Sequence, residues 1–589
     1  MDFLSRRRFL QTASLGTLGL KVNQVTPGIP LFAEAHERPR SHSLLIWEEE
    51  PQRRIFPQSL RLFKSQVQIH LEGCSGERLT AQLGLRSEKG IDQIKVHLNP
   101  WHSPRGTRSF EPDSVKPRLV GLIPCPELGM MTPDPLEDRE AFDLEPRQTL
   151  SLWLDLAIPS HLDAGRYESM LELHSGKEML ASVPIQVDVV PAALPAPPRF
   201  DFHLSIWQDA AAVARYHRVE TWSRGHWELI EAYARNLAAH GQKTITVPVV
   251  EDPWASQTAY PHPSMIVWQY PGEWDIKQSK KFRFDYTIFD RYIETFRNEG
   301  IEIINCFSPT HWGPFAYFDE KARKTRYHRY EVGDEWYAAA WNQFLPDLAE
   351  HLKRRGWLEQ SYLAMDEAPA SVMERVWAIL RKYSSDLKIH LAGGGGQYGQ
   401  EAEDLCYYYF SLFEDKPEFP KPDPEQRRQS GKRTTFYVCT GPAHPNTFLY
   451  SPAYGARQLP WLVWKLGYDG FLRWAYNSWP DRLWERPNYQ WGSGDMFLVY
   501  PGKHGPLDSQ RWQLLFAGIQ DYQCLKILES RLAERAQEKG SLEWVRTCRS
   551  RLTEAVALAT TDEDPFINSE ESNIQKARRQ VNRLLRELS

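Results

Sequence analysis

Beyond a cluster of prolines at Pro191, Pro195, Pro197 and Pro198, short apolar runs with strand character alternate with stretches of helical periodicity. This alternation restricts the second half of the chain to very few folds. The strand-like runs begin near Phe202, Thr244, Ile301, Tyr362, Ile389, Cys406, Phe436 and Phe471. Helical patterns fall at 222–240, 334–352, 372–383 and 453–466, and another covers 509–532 after the last run. Eight strand–helix units between residues 199 and 532 predict a (β/α)8 TIM-like barrel. A doubly wound sheet would need a nucleotide fingerprint. The run from Gly394 to Gly399 follows a strand, but no long helix opens there, so its glycines are read as shaping a barrel loop.

Residues 40–190 have a different texture. Leu150, Leu152, Leu154 and Leu156 alternate with Ser151, Trp153 and Asp155, the pattern of a half-buried strand. Ile185 to Val189 alternates again, and no long amphipathic helix intervenes, which predicts a β-sandwich. The proline cluster reads as a stiff linker between the two domains. Residues 533–589, rich in Arg, Glu, Leu and Gln, read as a C-terminal helical segment.

The N-terminus carries Ser5-Arg6-Arg7-Arg8-Phe9-Leu10-Gln11, then a short apolar stretch and Ala33-Glu34-Ala35. Residues 1–35 are therefore expected to be a twin-arginine-type signal peptide, with the twin-arginine export machinery as a partner and a periplasmic or secreted destination. The apolar stretch is too short to span a bilayer stably, so no stable membrane insertion is expected after processing. A formal net charge of -5 argues against nucleic acid as a partner. The seven cysteines are widely spaced without Cys-x-x-Cys, which suits neither a disulfide framework nor a zinc site. The motifs His-Glu-x-x-His, Gly-x-Ser-x-Gly and the Walker loop are absent, and no metal or cofactor is expected.

Chemistry in barrel enzymes gathers at the C-terminal ends of the strands. The fourth predicted strand stops at Asp366-Glu367, followed by a helix that Ser371 and Glu374 could open as a capping box. Taken alone, the dipeptide reads first as a helix start, where acidic groups favour the dipole, and it is the rest of the chain that turns the reading toward chemistry. Other strand ends bring Trp207, Trp254, His311 and Trp312, and the eighth brings Trp474, Tyr476 and Trp479. Carboxylates among aromatic walls suit a glycan or oligosaccharide better than phosphate or nucleotide. One carboxyl can protonate the leaving oxygen while another steadies charge at the anomeric carbon.

The segment from Gly470 to Trp479 resembles the last barrel strand of glycoside hydrolase family 123. The runs Gly494–Gly502, Ser509–Trp512 and Gly518–Tyr522 extend the likeness, as do the strand–turn–strand from Pro159 to Tyr167 and the proline linker. The resemblance implies a β-N-acetylgalactosaminidase working by substrate-assisted retention. In that scheme Asp366 orients the 2-acetamido group and Glu367 is general acid, then base. A charged neighbour favours the protonated form of an adjacent carboxyl, which suits the acid role. Trp474, Tyr476 and Trp479 would wall the sugar, and Asp495 would bind hydroxyls. Two features depart from the family pattern: Ala368 separates the acid pair from Pro369, and Gln513 and Gln520 stand where acids are usual. Two other readings remain: a glycosidase of different sugar specificity with two separated carboxylates, drawing on Asp252 or Asp495, and a noncatalytic carbohydrate-binding protein on a degenerate barrel.

Overall fold

The computed structural model describes residues 44–61, 67–103, 114–255, 257–310, 313–383, 386–393, 396–412, 421–562 and 572–589. The expected signal peptide at 1–35, and His311 and Trp312, lie outside the described residues. Two five-stranded sheets come first. One runs in spatial order Leu44–Glu49 (β1), Arg78–Ser87 (β3), Thr149–Ala157 (β8), Val115–Cys125 (β5) and Met130–Glu137 (β6). The other runs Ile69–Ser75 (β2), Glu178–Ala193 (β10), Gly165–Ser175 (β9), Ile91–Leu98 (β4) and Phe142–Leu144 (β7). Leu83, Leu85, Leu152, Leu154 and Leu156 from the first sheet share one apolar core with Leu171, Leu173, Ile185 and Val187 from the second. This is the β-sandwich that alternation predicts.

Strand β8 departs from the half-buried expectation, because both its faces are covered. Trp153 is fully buried in the large core that also lies between the barrel strands and their helices, and its indole N–H donates to Asp155 Oδ1 at 2.9 Å. Arg118 donates to Asp155 and, at 2.7 Å, to Asp508 next to the last barrel helix. The outer face of this sheet is therefore docked on the second domain instead of wetted. The proline linker is likewise part of that packing: Val190, Ala192 and Leu194 are buried in the same core as Trp153.

Eight parallel strands follow: His203–Ile206 (β11), Thr244–Pro248 (β12), Ile303–Phe307 (β15), Ser361–Met365 (β18), Lys388–Ala392 (β19), Asp404–Tyr408 (β20), Arg433–Tyr437 (β21) and Gly470–Arg473 (β22). Each begins within a few residues of a predicted start. From β12 they pair in chain order through to β22, and β22 pairs with β11. The last seam, between β11 and β12, has only one backbone bridge, Leu204 to Gln242. Two side-chain amides supply further rungs there. Gln242 accepts from Ile206 N–H at 3.0 Å and donates to Ile206 O at 2.9 Å, while Gln208 accepts from Thr246 N–H at 2.8 Å. Buried backbone groups need partners, and these glutamines meet that need where the barrel is not quite closed.

The main barrel helices are Arg224–Ala238, Thr287–Asn298, Glu335–Arg355, Ala370–Tyr383, Tyr454–Leu466 and Gln510–Arg535. Ser223, Asp334 and Ser509 cap three of them by accepting from backbone N–H groups. The helix after β18 starts at Ala370, which puts Ser371 inside its first turn and not at the expected cap. The loops after β12 and β15 hold a small sheet, Val267–Tyr270 (β13), Arg283–Asp285 (β14), Phe315–Asp319 (β16) and Lys324–His328 (β17). Trp268 of that sheet packs on Trp341 and Phe344 of the helix Glu335–Arg355. A short hairpin, Tyr500–Pro501 (β23) and Pro506–Leu507 (β24), precedes the helix Gln510–Arg535, and the helices Leu542–Ala559 and Asn573–Glu587 end the chain. Among the described residues no helix is long and apolar enough to cross a membrane.

The sandwich meets the barrel through buried charges and amides. Arg511 binds Asp134 at 3.0 Å, and Arg578 reaches Glu77 at 2.8 Å and Asp521 at 3.2 Å. Gln520 accepts from Arg78 N–H at 2.7 Å and donates to Arg78 O at 2.8 Å. Gln513 accepts from the Arg78 guanidinium at 3.5 Å and donates to Asp508 at 2.8 Å, the carboxylate that Arg118 of the sandwich also binds. The two glutamines at positions where the family usually has acids thus fasten this seam.

Candidate active site

Asp366 and Glu367 follow directly on β18, so the strand delivers both carboxyls to the C-terminal rim of the barrel. Asp366 Oδ1 accepts from the Glu367 backbone N–H at 2.8 Å, which fixes the turn between them. Glu367 Oε1 accepts from the hydroxyl of Tyr437, the last residue of β21. Tyr437 stacks on Tyr408, the last residue of β20, at 5.0 Å between ring centres. Burial, reinforced by the charge of Glu367, holds the Tyr437 hydroxyl well above its ordinary pKa, so it stays a donor.

Strand alternation explains the rest of the floor. Ala364, Ala392, Cys406, Tyr437 and Leu472 point into the barrel and form one cluster with Trp207, Trp254 and Phe307. Trp474 is half-buried and packs against that cluster. The rings of Trp207 and Trp254 lie 4.6 and 5.3 Å from Phe307. Their indole N–H groups are buried without a hydrogen-bond partner among the described residues. Buried polar groups in folded proteins are nearly always paired, so these two donors mark places where an acceptor is wanted.

Gly393, just beyond β19, has a φ of +142°. A Cβ there would sit 3.4 Å from Glu367 Cγ. Both the backbone conformation and the close approach of the acid favour glycine.

Asp495 is fully buried between Arg473, at 2.6 Å from its Oδ1, and the indole N–H of Trp474, at 3.2 Å from its Oδ2. It steers Trp474, and both its oxygens are engaged by protein donors. Cys439, beyond β21, senses both acids: burial and then the charges of Glu367 and Asp495 push its thiol up to about 12.

Tyr476 and Trp479 correct the sequence expectation. Each is fully buried in the large core between barrel and helices. Tyr476 donates to Asn236 at 2.7 Å and packs on Trp512, and Trp479 donates to Val499 O at 2.7 Å. The reason is local. Strand β22 ends at Arg473 and the chain bends at Trp474 and Tyr476, so strand parity no longer decides which way the later rings point. Sequence reasoning missed Tyr437, Tyr408 and Gly393. The end-of-strand rule that selected Trp474 would have found the two tyrosines.

The comparisons with known proteins agree with this architecture. The family model described as glycoside hydrolase 123, catalytic domain, matches residues 207–528. A family 123 glycoside hydrolase from Clostridium perfringens, solved in work on glycolipid glycan hydrolysis, is similar at TM-score 0.75 and 19% identity. The match covers 92% of this chain and 97% of that one. A family 39 glycoside hydrolase from Bacteroides cellulosilyticus matches at TM-score 0.32 and 10% identity, over 77% of this chain and 82% of that one. A Bacteroides ovatus GH5 xyloglucanase matches at TM-score 0.29 and 9% identity, over 81% of this chain and 100% of its own. No curated protein sequence matches.

Proposed function

The chain belongs to glycoside hydrolase family 123 and is a glycosidase, and from that premise we propose that it cleaves β-linked N-acetylgalactosamine-type glycosides by substrate-assisted retention. The observation that supports this most is the Asp366–Glu367 pair at the end of β18, with Glu367 held by Tyr437. In this reading Glu367 gives its proton to the glycosidic oxygen as that bond breaks. The carbonyl oxygen of the substrate's 2-acetamido group attacks the anomeric carbon from the opposite face, closing an oxazolinium ring. Asp366 accepts from the acetamido N–H, which orients the carbonyl and offsets the ring's positive charge. Water then opens the ring while Glu367 takes back a proton, and the two inversions leave the configuration retained. Tyr437 fixes the rotamer of Glu367 throughout.

Trp474 offers a wall for the sugar, and Trp207 and Trp254, in the cluster that Trp474 packs against, support that wall from below. His311 and Trp312 are further candidates for substrate contact. Asp495 fits a positioning role better than that of a second, separated carboxylate, because Arg473 and Trp474 already occupy its oxygens. The Clostridium perfringens relative was studied on glycolipid glycans, which makes such glycans the first natural substrates to try. The twin-arginine-like segment around Arg6 and Arg7 supports export to the periplasm or beyond.

The test is the wild-type enzyme on paired aryl β-galactosides with a 2-acetamido or a 2-hydroxy group. Cleavage that requires the acetamido group supports the proposal. Faster turnover of the 2-hydroxy sugar contradicts it and favours a direct enzyme nucleophile.

A further inference from the structure

The fold brings together two cysteines from distant parts of the sequence. Cys74 lies near the end of β2 in the sandwich, and Cys524 lies in the helix Gln510–Arg535 beside the barrel. Their sulfurs are 3.8 Å apart although 450 positions separate them along the chain. Both side chains are fully buried. Their spacing along the chain carries no sign of this pairing.

A third potential metal ligand, Glu77, is within reach of both thiols. Its carboxylate is already committed. Oε2 accepts from Cys74 N–H at 2.8 Å and from Arg578 at 2.8 Å, and Oε1 accepts from Arg578 at 3.1 Å. Arg578 is itself buried and also bound to Asp521. A metal ion would have to break that network and bring its own positive charge up to the arginine. The two sulfurs, in contrast, face each other with no such conflict.

We propose that Cys74 and Cys524 form a disulfide that staples the sandwich to the barrel when the chain meets a disulfide-exchange oxidant. The sulfurs need to close from 3.8 Å to about 2 Å. In the first step one cysteine thiolate attacks a sulfur of the oxidant disulfide and releases one oxidant thiolate. In the second, the other cysteine thiolate attacks that mixed disulfide and releases the second. The two cysteines lose two protons and two electrons, and the oxidant disulfide becomes two thiols.

Contact with Cys74 and burial hold the Cys524 thiol well above its ordinary pKa, so the closed seam is unreactive. Exchange therefore takes place while the seam is open, during folding or a local opening. Once formed, the bond is shielded from reductants by the same burial. This inference is independent of the glycosidase mechanism.

The experiment refolds the full chain in a glutathione redox buffer, with a fully reduced sample as reference. Thiols are counted in denaturant, and linked peptides are mapped by mass spectrometry. The expected result is a fall from the seven cysteines of the sequence to five free thiols, with a Cys74–Cys524 linked peptide. The melting temperature should rise by roughly 2–5 °C, and this rise should vanish in Cys74→Ala and in Cys524→Ala. Seven free thiols after oxidative refolding, or a linked peptide joining other cysteines, would overturn the proposal. So would stoichiometric zinc uptake by the reduced protein that either alanine variant abolishes. The mapping on wild-type protein decides the matter even if neither variant folds.

Discussion

The rim around Glu367 and the seam between sandwich and barrel both bury polar groups, but they do so in opposite ways. At the seam, charge is met by charge: Arg118 with Asp155 and Asp508, Arg511 with Asp134, and Arg578 with Glu77 and Asp521. At the rim, Glu367 is held by the neutral hydroxyl of Tyr437 on a floor of aromatic rings, where two indole donors have no partner among the described residues. A closed ion-pair network holds parts together and does little else. A carboxyl anchored by a neutral hydroxyl among rings can exchange a proton with something that arrives. The contrast separates residues whose loss should change the chemistry from residues whose loss should change only the fold.

The largest effect belongs to the rim. Glu367→Gln should cut turnover of substrates with poor leaving groups by about 10²–10⁴ while leaving the melting temperature unchanged. Activated aryl glycosides, which need less proton assistance, should lose less. Equal and modest losses for all leaving groups, read from steady-state rates, would break the contrast at its main point.

At the seam, Arg578→Met should destabilise the fold by about 3–5 kcal/mol, because it leaves the buried carboxylate of Glu77 without its cation, whereas Asp521 keeps Arg457. Activity per folded molecule should be preserved, as judged by chemical denaturation alongside active-site titration. A variant of normal stability with lost activity would mean that the seam participates in catalysis.

Smaller effects sharpen the division within the rim. Tyr437→Phe removes one hydrogen bond to the acid, about 1.5 kcal/mol or roughly tenfold in kcat, with little change in KM. Trp474→Ala should act mainly on KM, again by roughly tenfold, since it removes the wall we propose for the sugar. Tyr476→Phe should instead cost stability and leave KM alone, because the Tyr476 hydroxyl serves Asn236 in the core.

The smallest effect is a pH dependence of stability. His226 accepts from Trp222 N–H at 2.9 Å through Nδ1, and its Nε2 lies 2.8 Å from Ala210 O, an arrangement that suits only the neutral ring. Burial depresses its pKa to about 4. His240, wedged between Asn236 O and the Gln513 amide at the seam, is depressed by burial to about 3. Unfolded histidines titrate near 6.5, so the unfolded chain binds more protons than the folded one below that pH. The stability these rings contribute is full above about pH 6.5 and is lost as pH falls toward their folded values. The melting temperature should therefore drop between pH 6.5 and 4, and His226→Gln should flatten part of that slope.

Much of the barrel was legible because each strand is a compact apolar run between turn residues, from Phe202 to Phe471. The acid pair was legible because a strand stopped at it. What could not be read depends on contacts between distant residues. Nothing near Asp495 announces Arg473 as its partner, and nothing near Cys74 announces Cys524. The small sheet was missed because a strand such as Lys324–His328 is polar and mixed, without clean alternation. Gln242 reads as an ordinary helix-end residue, yet its amide stands in for a peptide group at the barrel seam. Tyr476 and Trp479 lie past the end of the eighth strand, where the bends at Trp474 and Tyr476 turn their rings into the core, a turn that position at a strand end does not reveal.

The central claim is that Asp366 acts on the substrate's own acetamido group, and a thiazoline analogue of the cyclised sugar tests it most directly. Its inhibition constant should be measured against wild type and Asp366→Asn. The account predicts tight competitive inhibition of the wild type and a loss of affinity of about tenfold or more in the variant, as expected for a charge-assisted hydrogen bond. Absence of inhibition in wild type, together with trapping of a covalent glycosyl-enzyme, would contradict it.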